Sequence, residues 1–184
     1  AFANTIADVA LANKPASLDE LKGMNYPGTS LTIADKITEE VGKIGEKIDL
    51  SKYEITSAEF VAVYNHPGNK LAAYVAFNKS TTDEVGRDVA MQAAAMAPVA
   101  LDEASVSEEM KQREIEVGKE QAINEGKPAD MAEKIAMGRL NKFFKESTLV
   151  NQEFIKDGKL SVGQYLKTVD KDLAAIDFKR HSLN

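Results

Sequence analysis

The sequence predicts an α+β fold of two related subdomains, each an antiparallel sheet packed with helices, plus a protruding antiparallel helical hairpin. Three observations carry this. Apolar spacing switches from a three-and-four rhythm to strict alternation and back; residues 105–146 read as two charged helices joined by very little chain; and short motifs recur in the same order in both halves.

In chain order, Phe2, Ile6, Val9 and Ala10 are in helical register from Ala1 to Asn13, and Pro15 ends that helix. Ser17 with Glu20 caps a short helix that Gly23 stops, and Asn25 to Ser30 form a loop. From Ser30, the residues Ile33, Ile37, Val41 and Ile44 mark a helix ending at Gly45. The period then becomes two. Ile48 and Leu50, then Phe60, Ala62 and Tyr64, then Leu71, Ala73, Val75 and Phe77 alternate with their neighbours and predict strands. Asn65-His66-Pro67-Gly68-Asn69 is turn chemistry joining the last two.

Thr81 and Glu84 cap a helix with Val85, Val89, Ala93 and Met96 on one side, kept slim by Ala90, Ala94 and Ala95 and ended by Pro98. The hairpin follows. Ser105 and Glu108 fit a capping box, Gly126 offers a left-handed stop, and Pro128 opens the second helix, with Asp130 and Glu133 near its start and Lys142 and Lys145 near its end. That helix carries a full apolar stripe of Ala132, Ile135, Ala136, Leu140, Phe143 and Phe144. Its partner offers only Met110, Val117, Ala122 and Ile123 among charges, a thin seam suited to a coiled-coil arm roughly 25 to 30 Å long. A helical pair lying flat on a domain is the alternative. A loop over 154–158, a short helix capped by Ser161 and Gln164, and a strand from Leu173 to Phe178 complete the chain.

Pro15 with Leu18-Asp19-Glu20 recurs as Pro98 with Leu101-Asp102-Glu103, Ile33 to Ile37 resembles Met131 to Ile135, and Leu71-Ala72-Ala73 recurs as Leu173-Ala174-Ala175. The division expected is therefore 1–80 for the first subdomain and 81–184 for the second, the latter including the hairpin at 105–146. Nothing corresponding to the strand pair ending at Phe77 precedes Ala1, so a strand or hairpin of the first sheet is expected upstream of this chain.

With 184 residues the chain can bury a core without staples. It has no cysteine, which removes disulfides and thiolate metal sites; a homodimer, if one forms, is not disulfide-linked. A formal net charge of −6 without a basic cluster speaks against direct nucleic-acid binding. No apolar run is long enough to cross a bilayer and no leader is recognisable, so a cytoplasmic protein with protein partners is expected.

There is no glycine-rich phosphate loop, no zinc-ligand spacing, and no nucleophile set beside a base; the two histidines, His66 and His181, are far apart. The carboxylates sit on solvated helix faces at spacings that pair with lysine, as Glu39 does with Lys43. No catalytic group, cofactor or metal is expected. His66, at a hairpin tip, is either a contact residue or a plain turn residue.

Three motifs bring a family into view: GKPADMAEKIAMGRLNKF from Gly126 to Phe143, VAMQAAAMAP from Val89 to Pro98, and FIKDGKLSVGQYL from Phe154 to Leu166. Together, and in this order, they resemble the bacterial translation elongation factor Ts family, over nearly the whole chain and more loosely before residue 40. The resemblance implies a guanine-nucleotide exchange factor for the GTPase elongation factor Tu, acting by protein–protein binding and not as an enzyme. It also implies two related subdomains and a coiled-coil hairpin on the second. Carried over by motif, Ile44 and Gly45 of KIGEK would touch the nucleotide domain, and His66 of YNHPG with Ile155 and Lys156 of FIKD would be further contacts. From periodicity alone Ile44 is instead the last buried residue of its stripe.

The N-terminal helical module of the family and its Thr-Asp-Phe segment have no counterpart here, so impaired exchange is expected of this chain. A self-association module, with partner binding secondary, is the alternative reading.

Overall fold

A computed structural model describes residues 2–183, with the side chains of Ala129 and Asp130 left undescribed. The sequence readings at Ala1, and that of Asp130 at the start of its helix, lie outside the described residues. The helices are α1 (Phe2–Asn13), α2 (Leu18–Gly23) and α3 (Ile33–Ile44); the strands β1 (Phe60–Asn65) and β2 (Leu71–Phe77) follow. Then come α4 (Asp83–Met96), α5 (Glu108–Asn124), α6 (Ala129–Ser147), β3 (Glu153–Phe154), β4 (Asp157–Ser161), α7 (Val162–Val169) and β5 (Ala175–Ser182). The chain divides into two compact units, Ala1–Thr56 and Ser57–Asn184.

The first unit is helical. The Ser17 hydroxyl accepts from the Glu20 N–H to start α2, and Thr32 with Asp35 forms a reciprocal capping box at α3, so each helix begins where a short polar side chain replaces a missing backbone partner. Ile6, Val9, Ala10, Leu21, Ile33 and Ile37 are buried together, and Phe2 stacks on Tyr26 with ring centroids 5.5 Å apart. The strand expected at Ile48 and Leu50 does not form: Leu50 and Tyr53 pack on this helical core, and among the described residues no neighbouring strand supplies the ladder that alternation alone cannot. Among the described residues the only β-type pairing in this unit is the isolated bridge between Asn25 and Thr32.

In the second unit the sheet has the order β1-β2-β5, antiparallel throughout. The strands at 60–77, expected with the first subdomain under a division at residue 80, therefore pair with the chain's last strand and pack beneath α4. Leu71-Ala72-Ala73 and Leu173-Ala174-Ala175, read as belonging to the sheets of two halves, fall in one: the first triplet opens β2, and the second leads into its neighbour β5, which begins at Ala175. Val75 and Phe77 of β2 meet Val85, Val89 and Ala93 of α4, with Leu149, Phe154, Val162 and Leu166 closing the core. β5 runs to Ser182, beyond the expected end at Phe178, because its register with β2 continues to Leu71.

Several caps fall one or two residues from the places expected. Thr82, not Thr81, accepts from Val85 N–H at α4, and Ser107, not Ser105, accepts from Met110 N–H at α5; the Ser105 hydroxyl instead donates to Asp102. Pro128 is the cap of α6, not its first helical residue. Gly126, at a φ of 76°, does stop α5: its N–H bonds to Ile123 O, and Lys127 N–H reaches back to Ala122 O. The contacts Glu114–Arg139, Gly118–Ala136 and Lys119–Glu133 make α5 and α6 antiparallel.

α4 ends on Ala97, an exposed residue at a left-handed φ of 44°. A side chain there costs about 1–2 kcal/mol in a conformation that glycine adopts freely. Ala97→Gly is expected to raise stability by about 0.5 to 1 kcal/mol, after the greater unfolded-chain entropy of glycine is subtracted. A urea midpoint that stays put or falls would rule this out.

Candidate partner-binding site

α3 ends because Gly45 takes a φ of 77° and bonds its N–H to Val41 O at 2.9 Å. Ile33 and Ile37 of the same stripe are buried, whereas Ile44, at the helix end, is 57% exposed. The core of this unit does not take Ile44 in. A Cβ at Gly45 would meet nothing within 4 Å, so glycine is demanded by the backbone angle and not by crowding inside the chain.

His66 opens the β1–β2 turn, where Gly68 and Asn69 hold φ values of 93° and 55°. Its N–H bonds to Leu71 O at 2.8 Å, and its carbonyl accepts from Asn69 N–H at 3.0 Å. The Tyr64 hydroxyl lies 3.1 Å from Nδ1. The imidazole is thus exposed yet braced, an arrangement compatible with either role read from the sequence.

Residues 154–158, expected to be a loop, form the tip of a small hairpin between β3 and β4. Phe154 is buried and its ring stacks on Tyr165 at 4.1 Å between centroids. Ile155, next along, is 43% exposed. Lys156 sets its ammonium 2.8 Å and 2.7 Å from the two carboxylate oxygens of Asp88 on α4. The hydrogen bond with Asp88 holds the Lys156 ammonium above its ordinary range, against a smaller opposing effect of desolvation. Burial, reinforced by the charge of Asp88, pushes the Tyr165 phenol up as well.

Ile155 and Lys156 thus stand together on one tip; His66 lies on a different turn of the same unit, and Ile44 and Gly45 belong to the other unit. The sequence reading missed Asp88 and Gln92. Both are buried, at 7% and 0% exposure, and one trace of them is visible in the sequence: two polar residues four apart on α4, among Val85, Val89 and Ala93.

The sequence model of the family described as Elongation factor TS matches residues 1–184. An elongation factor Ts of Amoebophilus asiaticus is 49% identical over 182 residues, covering 97% of this chain and 65% of the relative. One of Cytophaga hutchinsonii is 46% identical over 186 residues, covering 100% of this chain and 66% of the relative, and one of Porphyromonas gingivalis is 43% identical over 179 residues, covering 97% and 65%. The chain spans about two thirds of the length of these relatives. On the match along its whole length, the chain belongs to the elongation factor Ts family.

Proposed function

We propose that this chain is the core of a guanine-nucleotide exchange factor that binds the GTPase elongation factor Tu during polypeptide elongation in the cytoplasm. The observation that carries the reading is the family match across residues 1–184. Such a factor needs no reactive group. It binds the nucleotide-free GTPase more tightly than the loaded form, and by linkage each ligand weakens the other's hold, so GDP leaves faster. Ile44 and Gly45 contact the nucleotide domain in this proposal, and His66, Ile155 and Lys156 supply further contacts. The exposure of Ile44 and Ile155 supports it, because apolar side chains left in water at an element's end are available to a partner. In this reading α5 and α6 form the projecting coiled-coil arm.

A second reading, self-association, draws on the sheet order: β1 and β5 are outer strands, each with one edge unpaired within that sheet. Light scattering of the chain with and without nucleotide-free elongation factor Tu separates the two. The direct test is capture of the nucleotide-free GTPase by the wild-type chain and by Ile44→Ala, His66→Ala and Ile155→Ala. Ile44→Ala and Ile155→Ala are expected to weaken binding about tenfold each, or ~1.4 kcal/mol, with unchanged circular dichroism. Binding unaltered in all three would remove these contact assignments.

A further inference from the structure

A hairpin whose first strand is two residues long, with a register shift between Glu153 and Phe154, cannot hold its own tip in one geometry. Yet the tip is bonded from behind at Glu153, Ile155 and Lys156. Gln92 does most of this. Its Oε1 accepts from Ile155 N–H at 2.9 Å and its Nε2 donates to Glu153 O at 3.1 Å, so one side-chain amide brackets Phe154 as a neighbouring strand's peptide group would. Asp88, one turn earlier on α4, takes Lys156.

The amide of Gln92 is in turn seated. Its second N–H goes to Gln152 Oε1 at 3.2 Å, and Gln152 donates to Glu146 O at 3.0 Å and Met96 O at 3.3 Å. The orientation of both amides follows from their partners. Ile155 N–H can only donate and the three carbonyls can only accept, so neither amide can flip without losing bonds. Burying two amides this completely adds little stability over a leucine of similar size, since each bond replaces one to water. What it adds is one geometry, because any displacement of the tip strands buried donors and acceptors.

We infer that Gln92 and Asp88 are positioning residues, which fix the Ile155–Lys156 tip in the conformation that docks on the GTPase; this rests on the docking role of that tip proposed above. Gln92 sets the backbone and Asp88 sets the lysine head group, while Gln152 ties the Gln92 amide to the ends of α4 and α6.

The test uses the 184-residue chain with Gln92→Met, a near match in volume that keeps no amide, alongside Asp88→Asn, which keeps an oxygen for Lys156 but no charge. Amide hydrogen exchange at Ile155 is read first, with the amides of β2 as the internal reference. Gln92→Met is expected to speed Ile155 exchange at least tenfold more than it speeds β2. Equal acceleration at both places means general loosening and overturns the inference, as does an unchanged Ile155. Affinity for nucleotide-free elongation factor Tu is read second, with Ile155→Ala made in each background. The expected pattern is about a tenfold cost in the wild-type chain, shrinking to twofold or less once Gln92 is methionine, and about a threefold loss for Asp88→Asn that disappears when Lys156 is alanine. Undiminished costs in the variant backgrounds overturn the positioning role. A harmless Ile155→Ala in the wild-type chain overturns the docking role of the tip itself, and with it the inference, and that failure is recognisable because it needs no change at Gln92.

Discussion

Gly86→Val is expected to destabilise the second unit by about 3 kcal/mol or more, a large share of the roughly 5 to 15 kcal/mol that holds an ordinary domain folded. A Cβ at position 86 would lie 2.6 Å from Phe60 Cε1 and 2.7 Å from Ala62 Cβ, nearer than such atoms come in folded proteins. Phe60 is the softer neighbour, a partly buried ring tilted against Phe77 with centroids 6.0 Å apart. Ala62 is not soft. Its Cβ sits on a strand paired to Val75, so it yields only if β1 or α4 moves. Alanine brings a helix-propensity gain of about 1 kcal/mol that partly offsets the clash, so Gly86→Ala should cost about 1 to 2 kcal/mol and valine distinctly more. Urea unfolding followed by circular dichroism measures this; a valine variant with the wild-type midpoint would show that the helix does not rest on the sheet this closely. The proposed docking of the Ile155–Lys156 tip is tied to the same contact, because α4 carries Asp88 and Gln92.

Features that depend on a few neighbouring residues were legible. The caps at Ser17 and Ser161, the stop at Gly126 and the turn at His66 each follow from local chemistry, and β1 and β2 follow from period two. Pairing between distant strands was not. Leu71 to Phe77 alternates equally well whether it belongs to one sheet or another, and its bonds to β5, about a hundred residues away, together with its packing on α4, assign it to the second unit. For the same reason Ile48 and Leu50 read as a strand: alternation reports a half-buried surface, and the helical core of the first unit provides one. At the candidate site, Ile155 and Lys156 were visible through a motif, but the groups behind them were not. Gln92 and Gln152 lie sixty residues apart and meet only once α4 and the α6 end are packed.

Gly118→Val should open the helical pair from its middle. Four positions were read as the seam of α5, and only Ala122 of these is buried; Ile123 is 58% exposed, Met110 and Val117 are intermediate or buried only in part, and the contact itself is made by Gly118. A Cβ there would stand 2.9 Å from Ala136 Cα and 3.2 Å from Ala136 Cβ, so the obstacle is the backbone of α6, which no rotamer change relieves. Ala132 and Ala136 face this stretch with methyl groups alone, and both are buried, which requires the helix axes to lie close. Valine forces them apart. The cost is expected to be about 2 to 4 kcal/mol, offset only slightly by helix propensity. It should be confined to the outer part of the pair, because Leu140, Phe144, Ala100 and Val106 form a separate cluster at its base. Hydrogen exchange distinguishes the outcomes: protection should collapse over residues 115–137 while β1, β2 and β5 keep theirs, and protection retained over 115–137 would disprove the close approach. A pair held by small residues at its middle and large ones at its base separates most easily at the end away from the sheet. The ion pairs along it, Glu114 with Arg139 at 3.7 Å and Lys119 with Glu133 at 3.4 Å, are long and partly exposed, and contribute too little to compensate.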